Sequence, residues 1–316
     1  MIHTTVFIVG GGPAGAACAW RLRQNGVDCL LADQAVFPRL KLCAGWITPQ
    51  VLKDLHVTPE NSPFGLTTFS SFKLSLKGIK FTLPVHQYAI RRWQFDDWLL
   101  KRSGVNVVQH QVKHIITEKK GYLIDNSYSA KFLVGAGGTH CPVYQTIFKA
   151  HNQRPADSLI VALEEEFRYP VIDDRCHLWF FENKLPGYSW YVPKQGCYVN
   201  VGIGANISKL KANRDNIQNQ WAHLVNNLQN QELIQDHEFK PRGYAYYLRQ
   251  KNVKTRIGNA FLVGDALGLA TLDMGEGISP AIQSGLLAAD AILQDRDYSI
   301  QSIQKYSLPA LLRIQH

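Results

Sequence analysis

The segment of residues 6–33 constrains the fold of this chain more than any other. Residues 5–9 are a run of β-branched and aromatic side chains, residues 10–15 are rich in glycine, and residues 14–25 have helical spacing. A second apolar run follows at residues 28–32. This order of strand, turn, helix and strand predicts a βαβ unit at the start of an α/β fold.

Three glycines of the turn have GxGxxG spacing, directly after the first strand and directly before the helix. Such glycines let the backbone turn sharply and approach a pyrophosphate, whose charge is stabilised by the helix N-terminus. Asp33 ends the second strand, where a carboxylate accepts hydrogen bonds from a ribose. The segment predicts a dinucleotide site and does not distinguish FAD from NAD. The residues expected at this site are Gly10, Gly12, Pro13, Ala14, Gly15 and Asp33.

The composition narrows the class of protein. The 316 residues are 46% hydrophobic and 19% charged, which excludes a disordered, a collagen-like and a coiled-coil chain. The 34 Lys and Arg residues outnumber the 25 Asp and Glu residues, so the formal net charge is +9 and anionic partners are favoured. No nucleic-acid-binding module is recognisable, and nucleic acid is not an expected partner.

Apolar runs and cysteines bear on the compartment. The apolar runs are too short to span a bilayer, and no basic region precedes residue 6 as it would in a signal peptide. The six cysteines form no CxxC pair, and no metal-ligand spacing is present, so we expect no metal site. These features predict a cytoplasmic protein, and the dispersed basic residues leave a peripheral contact with an anionic membrane open.

The pattern of elements predicts two interleaved domains. Residues 67–85 alternate around Lys77-Gly78 as in a β-hairpin, and residues 158–204 are again strand-like and aromatic. We expect a doubly wound, Rossmann-like α/β domain interleaved with an antiparallel β-sheet domain that binds substrate. The predicted boundaries are 1–61, 89–154 and 241–316 for the nucleotide-binding domain, and 62–88 and 155–240 for the substrate domain.

A second glycine-rich segment lies near the C-terminus. A strand runs into Gly264-Asp265, and Gly275-Glu276-Gly277-Ile278 opens a helix. This segment resembles the FAD-dependent oxidoreductases of the p-hydroxybenzoate-hydroxylase type. The resemblance implies that Gly264 and Asp265 hold the ribitol chain of FAD. It also implies that the backbone at Gly275, Gly277 and Ile278 faces the flavin pyrimidine edge, where negative charge gathers on reduction.

Within that superfamily, residues 6–293 most resemble the geranylgeranyl reductase group. Lys41-Leu42-Cys43-Ala44-Gly45 is similar to the KxCxG segment of that group, and Arg92 begins an RxxFD pattern. Residues 187–193 resemble its YxWxFP strand, and residues 200–204 resemble its NVGxG segment. The resemblance implies further FAD contacts at Lys41, Ala44, Gly45 and Arg92.

The same resemblance nominates residues for substrate and for chemistry. Tyr188 and Trp190 alternate on one strand, so both point to one face, and the resemblance places that face on the substrate. Trp46 either joins them or has a plain packing role. Reduction of a prenyl double bond needs a hydride from the flavin and a proton from another group. Cys43 is the candidate for catalysis, its alternative being a small buried hydrophobic residue.

The segment at Gly137 departs from the pattern of the geranylgeranyl reductase group, and the acidic run at residues 164–166 has no counterpart in the motifs above. Gly137 stands where relatives carry an aspartate that helps to hold the flavin, so Gly137 is an expected cofactor contact. The absence of the aspartate disfavours tight NADPH use and hydroxylase chemistry. The run of Glu164, Glu165 and Glu166 lies in a strand context, where we expect at most one of the three to face a core. The run is therefore predicted to be a solvated face.

The sequence thus favours an FAD-dependent oxidoreductase that reduces carbon–carbon double bonds of a prenyl or other lipid-like substrate. The expected electron donor is NAD(P)H or a ferredoxin-like protein. A flavin-dependent monooxygenase or halogenase on the same scaffold is the first alternative. A flavin-binding sensor or lipid carrier without turnover is the second, because of the altered segment at Gly137.

Overall fold

The computed structural model describes residues 1–311 and divides into two compact units. The first unit comprises Met1–Arg39, Phe95–Arg154 and Tyr247–Tyr306. The second comprises Leu40–Gln94, Pro155–Tyr246 and the described residues from Ser307 onward. In residues 1–311, no helix combines the length and the apolar character that crossing a lipid bilayer requires.

The described residues contain sixteen strands and seven α-helices. The strands are β1 (Ile2–Val9), β2 (Cys29–Asp33), β3 (Trp46–Ile47), β4 (Leu66–Leu76), β5 (Ile79–Ile90), β6 (Asn106–Gln109), β7 (Ile115–Glu118), β8 (Gly121–Ile124), β9 (Tyr128–Gly135), β10 (Leu159–Arg168), β11 (Cys176–Phe180), β12 (Gly187–Lys194), β13 (Tyr198–Asn206), β14 (Arg242–Tyr247), β15 (Arg256–Ile257) and β16 (Ala260–Leu262). The helices are α1 (Pro13–Gln24), α2 (Pro49–Asp54), α3 (Arg92–Ser103), α4 (Ile207–Ala212), α5 (Ile217–Asn230), α6 (Ile278–Leu293) and α7 (Leu308–Leu311).

The first unit is built on a largely parallel sheet. Its strand order is β15-β16-β9-β1-β2-β6, and the hairpin of β7 and β8 joins it through β9. Phe7 and Ile8 of the central strand are fully buried, as expected for a parallel strand covered on both faces. Helices α1 and α6 pack tightly because small residues face each other: a Cβ at Gly285 would lie 2.2 Å from the carbonyl oxygen of Ala14.

The second unit is built on an eight-stranded sheet in the order β14-β10-β13-β12-β11-β4-β5-β3. Most neighbours are antiparallel, and β11 runs parallel to β4. One face of this sheet carries Tyr191, Val201 and Ile203, which form a hydrophobic core with Trp221 and Leu224 of helix α5. Helices α4 and α5 therefore belong to one face, and the residues discussed below lie on the other.

The predicted fold class is confirmed, with Rossmann-like and β-sheet parts interleaved along the chain. The predicted hairpin is formed by β4 and β5, and its turn residues Lys77 and Gly78 both have positive φ, as a two-residue turn between twisted strands requires. The units differ from the predicted boundaries at residues 40–61, 89–94, 241–246 and the described residues from Ser307 onward, all of which group with the second unit. The reason is strand pairing, since β3 pairs with β5 and β14 is the edge strand beside β10.

Candidate functional site

Three loops of the first unit follow the carboxyl ends of the parallel strands β1, β9 and β16. Strand β1 lies between β2 and β9, where the strand order changes direction, and ligands of open α/β sheets bind at such a point. Gly10 begins the first loop with a φ of 107°. A Cβ there would lie 2.4 Å from the carbonyl oxygen of Ala136 in the second loop, so only glycine permits this approach.

Gly12 is the N-cap of helix α1, and open space lies in front of it. Pro13 occupies the first turn of the helix, where its missing N–H costs nothing. Apart from chain neighbours, a Cβ at Gly12 would meet a single atom within 4 Å, Nη2 of Arg39 at 3.5 Å. A Cβ at Gly15 would instead lie 1.9 Å from the carbonyl oxygen of Gly10. The fold itself needs Gly15, whereas Gly12 leaves room for an anion at a helix N-terminus.

Asp33 ties the end of β2 to the glycine turn. Its Oδ2 accepts the N–H of Gly11 at 2.7 Å, and its Oδ1 accepts the N–H of Ala35 at 2.8 Å. Each carboxylate oxygen has a further lone pair. Asp33 therefore fixes the turn and can still accept a ribose hydroxyl.

Arg39 is a site residue that the sequence analysis missed. Its guanidinium lies beside Gly12 and 3.6 Å from Oδ2 of Asp96, whose side chain is fully buried. A guanidinium fixed in this way supplies positive charge next to the phosphate-binding turn. No local spacing signals it, because Asp96 lies on a different element of the chain.

The third loop brings Asp265 to the start of helix α6. A Cβ at Gly264 would lie 3.0 Å from the Cβ of Ala14, so this loop adjoins the first turn of α1. Gly277 is the N-cap of α6, and a Cβ there would lie 3.3 Å from Oδ1 of Asp265. The two glycine-rich segments, far apart in sequence, thus meet in one place within the first unit.

Glu276 is a buried acid in this loop. Its neighbour Gly275 has a φ of 61°, and Ile278 is the first residue of α6. The Oε1 atom of Glu276 accepts the N–H of Ser279 at 2.7 Å, and its Oε2 atom has no hydrogen-bond partner in residues 1–311. Burial raises the pKa of Glu276 to about 7, although the N–H of Ser279 lowers it. The start of α6 therefore holds a carboxyl group that exchanges its proton near neutral pH.

The altered segment at Gly137 is stabilised by an arginine. Gly137 is exposed, and a Cβ there would lie 3.2 Å from the Cα of Cys141. Arg154 donates from Nη1 to the carbonyl oxygen of Thr139 and from Nη2 to that of Ala266, both at 2.6 Å. Its guanidinium also stacks on the ring of Tyr144 at 3.4 Å. Arg154, which the sequence analysis missed, thus joins the loops after β9 and β16.

Taken together, the loops of the first unit fit a dinucleotide such as FAD. Gly12 presents open backbone at a helix N-terminus, Arg39 supplies charge beside it, and Asp33 retains acceptor capacity. The remaining predicted residues, Lys41, Cys43, Ala44, Gly45, Trp46, Arg92, Tyr188 and Trp190, all belong to the second unit.

In the second unit, the loop before β3 is held by its own backbone. The N–H of Cys43 donates to the carboxylate of Glu164, and the Sγ of Cys43 accepts the N–H of Gly45 at 3.3 Å. Gly45 has a φ of 74°, and a Cβ there would lie 2.2 Å from the carbonyl oxygen of Ile90. Ala44 between them is half-buried. Gly45 is therefore required by packing within the second unit.

Trp46, Lys41 and Arg92 have separate environments. The Nε1 atom of Trp46 donates to Oε1 of Gln87 at 3.0 Å, which favours the packing role for this residue. The Nζ atom of Lys41 lies 5.1 Å from the ring centre of Tyr244. Arg92 is buried at the start of α3, and it lines a cavity of about 200 Å³ together with Lys41 and Cys43.

Two adjacent rows of side chains cross the face of the second sheet that lies opposite helices α4 and α5. Strand register places the members of each row opposite one another on β5, β4, β11 and β12, and the rows continue onto β13 and β10. We call the eight apolar members the apolar strip: Ile79, Leu76, Phe180, Tyr188, Phe81, Leu74, Leu178 and Trp190.

Glycines on β13 shape the end of this strip. Gly204 lies opposite Tyr188, and Gly202 lies opposite Trp190. The indole of Trp190 covers Gly202, and its Nε1 donates to Oδ1 of Asn200 at 2.7 Å. Trp190 is 4% exposed, so it forms the floor of the strip, while Tyr188 beside it is half-buried.

The prediction of a solvated acidic run on β10 is wrong. Glu164 is 1% exposed, and Glu166 forms ion pairs with Lys194 at 2.7 Å and with Arg91 at 2.8 Å. Side chains two apart on a strand share a face, so both acids point to the side that carries Trp190. Burial raises the pKa of Glu164 to about 7, although the Lys194 charge lowers it.

Comparisons with known proteins agree with this geometry. A family model described as an FAD binding domain matches residues 107–294, and one described as an NAD(P)-binding Rossmann-like domain matches residues 8–41. Digeranylgeranylglycerophospholipid reductase 3 of Methanosphaera stadtmanae is 26% identical over 329 residues, covering 96% of this chain and 81% of that protein.

Two solved structures share the fold. A geranylgeranyl bacteriochlorophyll reductase-like protein from Thermoplasma acidophilum has a TM-score of 0.81 at 22% identity, over 98% of this chain and 83% of that one. The flavin-dependent brominase Bmp2 has a TM-score of 0.76 at 20% identity, over 94% of this chain and 81% of that one. Because the FAD-binding match spans more than half of the sequence, the chain belongs to the FAD binding domain family and is an FAD-dependent oxidoreductase.

Proposed function

We propose that this protein uses reduced FAD to saturate carbon–carbon double bonds in a prenyl or other lipid-like substrate. The observation that carries the proposal is the apolar strip, which ends at a buried acid, Glu164. Six strands contribute to the two rows, so at about 4.8 Å between neighbouring strands the rows extend over roughly 24 Å. An elongated hydrocarbon matches a surface of this length and composition.

The strip suits a branched hydrocarbon for a physical reason. Its members offer ring faces and methyl groups, and a prenyl chain has no polar atom that would lose hydrogen bonds to water there. Burial of apolar surface contributes about 25 cal/mol per Å², so several isoprene units would add several kcal/mol of binding free energy. The resemblance to the reductase of Methanosphaera stadtmanae points to the same class of substrate.

The two units have different tasks in this proposal. FAD, held by Gly10, Gly12, Asp33, Arg39 and Asp265 of the first unit, supplies a hydride when reduced. The remaining predicted contacts of the first unit are proposed in the same role: Pro13, Ala14, Gly15, Gly137, Gly264, Gly275, Gly277 and Ile278. Lys41, Ala44, Gly45 and Arg92 are proposed as further FAD contacts from the second unit.

The second unit orients the substrate and excludes water. Tyr188 contacts the prenyl chain of the substrate from the side, and Trp190 supports this prenyl chain from below. Cys43 lies beside the acid at the end of the strip, and we propose that its thiol contacts the reacting end of the substrate. Trp46 is proposed to support the strip through its edge-to-face contact with Phe72.

The direct test is product analysis. FAD-loaded protein is reduced with dithionite under argon and incubated with prenyl diphosphates, prenylated glycerophospholipids and prenylated quinones. Mass spectrometry should show a gain of two hydrogen atoms for at least one class. Tyr188→Glu should abolish this gain, whereas Phe181→Glu, at an exposed residue outside the strip, should not. Unchanged lipids in every class with the wild-type protein would contradict the proposal.

We propose NAD(P)H or a ferredoxin-like protein as the electron donor. The altered segment at Gly137 favours the protein donor over tight binding of NADPH. Anaerobic bleaching of the flavin absorbance should therefore be faster with reduced ferredoxin than with an equal concentration of NADPH. Faster bleaching with NADPH would assign the role to the nucleotide.

We also propose that the tip of the β4–β5 hairpin touches an anionic membrane. Ile79 is 72% exposed and Phe81 is 46% exposed, and the exposed Lys77 and Lys80 lie beside them. Apolar side chains flanked by cations fit an anionic lipid surface. Flotation with phosphatidylglycerol vesicles should weaken in Ile79→Glu and should be absent with phosphatidylcholine vesicles. Equal flotation of the wild-type protein and Ile79→Glu with phosphatidylglycerol vesicles would show that the hairpin tip is not the membrane contact.

The second candidate is a halogenase or monooxygenase. Its support is the segment Trp190-Tyr191-Val192-Pro193, which resembles half of the WxWxIP segment of halogenases, although Tyr188 stands where a tryptophan is expected. Incubation of the reduced protein in air with bromide separates the two functions. A brominated or oxygenated product would favour this candidate, and a saturated product formed under argon would exclude it as the main activity.

A further inference from the structure

We propose that Glu164 is the proton donor for the double bond that the reduced flavin attacks. This inference rests on the proposed function and adds the group that completes the reaction. It assigns a catalytic role to a residue that the sequence pattern placed in a solvated run.

Glu164 is a buried carboxyl group with only one of its two oxygens in a hydrogen bond to the described residues. Its side chain is 1% exposed, and one oxygen accepts the N–H of Cys43. The other oxygen, Oε2, is buried without a hydrogen-bond partner in the described part of the chain, although the side chain of Asn200 is close enough to the carboxyl group to lower the pKa of Glu164. A buried polar atom without a partner is costly, so its retention needs a reason. Glu164 lines the cavity of about 200 Å³ that Cys43 and Asn200 also line, so this acid borders a space that a substrate could enter.

The position of Glu164 relative to the apolar strip supports the same role. Glu164 and Trp190 both lie opposite Gly202, on its two sides, so the carboxyl group ends the row that Trp190 belongs to. A hydrocarbon lying along the strip would bring its terminal double bond to the carboxyl group.

Burial keeps part of the Glu164 population protonated near pH 7, because it raises the pKa of this acid against the effect of the surrounding cations. Four titratable groups on neighbouring elements face it, namely Lys194, Lys41, Cys43 and Tyr244. The cations lower the pKa of Glu164, but burial outweighs them and raises the pKa to about 7. Glu166 binds both Lys194 and Arg91, so this neighbouring acid, not Glu164, holds the ion pairs.

Other acids at the site are worse donors. Burial raises the pKa of Glu166, but its ion pairs with Lys194 and Arg91 outweigh that effect, so its pKa stays below the usual range and it carries no proton to give. Among the groups that line this cavity, Glu164 combines a retained proton with an unoccupied oxygen.

The step balances in atoms and electrons. One alkene carbon receives a hydride, with its electron pair, from the reduced flavin. The π bond breaks, and the second carbon takes the proton from the Oε2–H bond of Glu164, whose electrons remain on the carboxylate. Water restores the proton to Glu164, and the electron donor restores the flavin. The positive charges of Lys41 and Lys194 stabilise the carboxylate that forms.

The first experiment uses the protein without FAD. Infrared difference spectra recorded across pH 7 should show the C=O band of a neutral carboxylic acid disappearing as a carboxylate forms. Glu276 titrates in the same range, so the difference between the wild-type protein and Glu164→Gln isolates the Glu164 band. Glu118→Gln, at an exposed strand residue of the first unit, should retain the full band. Identical spectra for the wild-type protein and Glu164→Gln would overturn the assignment.

The second experiment follows a single turnover. The flavin is reduced with dithionite and mixed anaerobically with a lipid that the wild-type protein saturates, and its reoxidation is timed. Glu164→Gln should slow this step on the order of 100-fold or more, the usual contribution of a general acid. FAD content and dithionite reduction should be unchanged, and Glu164→Asp should recover part of the rate. In D₂O, the hydrogen at flavin N5 and the carboxyl hydrogen both come from solvent, so the wild-type product should gain two deuterium atoms.

The outcomes separate the inference from the proposed function. If the wild-type protein saturates no prenyl lipid, both the proposed reductase function and the donor role of Glu164 are wrong, even where the infrared band shows a neutral Glu164. If the wild-type protein is active and Glu164→Gln reacts equally fast, the donor role alone falls. If Cys43→Ala slows flavin reoxidation and Glu164→Gln does not, the proton donor is the Cys43 thiol, and the inference is overturned.

Discussion

Glu164 on β10 and Trp190 on β12 lie on either side of Gly202, which belongs to the strand between them, β13. A Cβ at Gly202 would lie 2.2 Å from Cζ2 of Trp190 and 2.8 Å from the Cβ of Glu164. The absent side chain at this position therefore lets the indole lie flat across β13 beside the acid. The floor of the apolar strip depends on that glycine.

Gly202→Ala should displace the indole of Trp190. The added methyl group overlaps the ring, and the hydrogen bond from Nε1 to Asn200 is lost when the ring moves, so we expect a loss of about 1–3 kcal/mol in the free energy of unfolding. Urea denaturation followed by tryptophan fluorescence measures this loss.

The matched control is Gly204→Ala, two residues along the same strand. Its Cβ would lie 3.6 Å from Cζ3 of Trp190, an ordinary contact, so its stability should stay within about 1 kcal/mol of the wild-type value. Equal losses in the two variants would show that the indole does not need the space over Gly202.

The turns of the first unit could be predicted from sequence because they follow local rules. Gly10 needs a positive φ, Gly12 caps a helix, and Gly264 lies at the end of a strand, and each leaves a glycine at a fixed spacing. The hairpin at Lys77-Gly78 is predictable for the same reason. In these segments, turns and helix starts leave glycines at fixed spacings, which the sequence shows without knowledge of tertiary contacts.

The acids and arginines of the site could not be predicted in this way. Glu164 and Glu166 look alike in sequence, and they differ because Lys194 of β12 and Arg91, which directly follows β5, pair with Glu166. Arg39 and Arg154 likewise act through partners on distant elements. Local spacing holds no information about such partners, although alternation alone places Glu164 and Glu166 on one face.

Gly12→Ala should separate cofactor binding from folding. Its Cβ meets little within the protein, so the stability of the FAD-free protein should change by less than about 1 kcal/mol. The methyl group would occupy the space in which a phosphate approaches the helix, so the Kd for FAD should rise at least tenfold, or about 1.4 kcal/mol. Flavin fluorescence titration measures the Kd.

Gly15→Ala provides the contrast. Its Cβ would lie 1.9 Å from the carbonyl oxygen of Gly10, so the FAD-free protein should lose about 1–3 kcal/mol of stability. An unchanged Kd for FAD in Gly12→Ala would show that the phosphates do not approach this turn.

Arg154→Lys should loosen the loops after β9 and β16. An ammonium group lacks the planar fork that reaches the carbonyl oxygens of Thr139 and Ala266 together, and it loses the stacking on Tyr144. We expect a loss of about 1–3 kcal/mol in stability, since two charge-assisted bonds to backbone carbonyls are removed. The affinity for FAD should fall as well.

The same substitution at an exposed arginine provides the control for this prediction. Arg168→Lys, at the end of β10, should change neither stability nor FAD affinity. Thermal unfolding with and without FAD measures both quantities. If Arg154→Lys binds FAD as the wild-type protein does, the two loops are fixed by other contacts.

Glu276→Gln should make the stability of the FAD-free protein less sensitive to pH. The folded pKa of Glu276 is raised from 4.5 to about 7, so below pH 4.5 its carboxyl group is neutral in both states and costs nothing. As the pH rises towards 7, the unfolded chain releases this proton and the folded chain keeps it, so the wild-type protein loses stability by up to roughly 3 kcal/mol at 1.36 kcal/mol per pKa unit. Glutamine avoids this loss and still offers an oxygen to the N–H of Ser279. Urea denaturation at pH 5 and pH 8 should therefore show an advantage of the variant that grows with pH, while Glu118→Gln shows none; an advantage that is the same at both pH values would mean that Glu276 is ionised throughout.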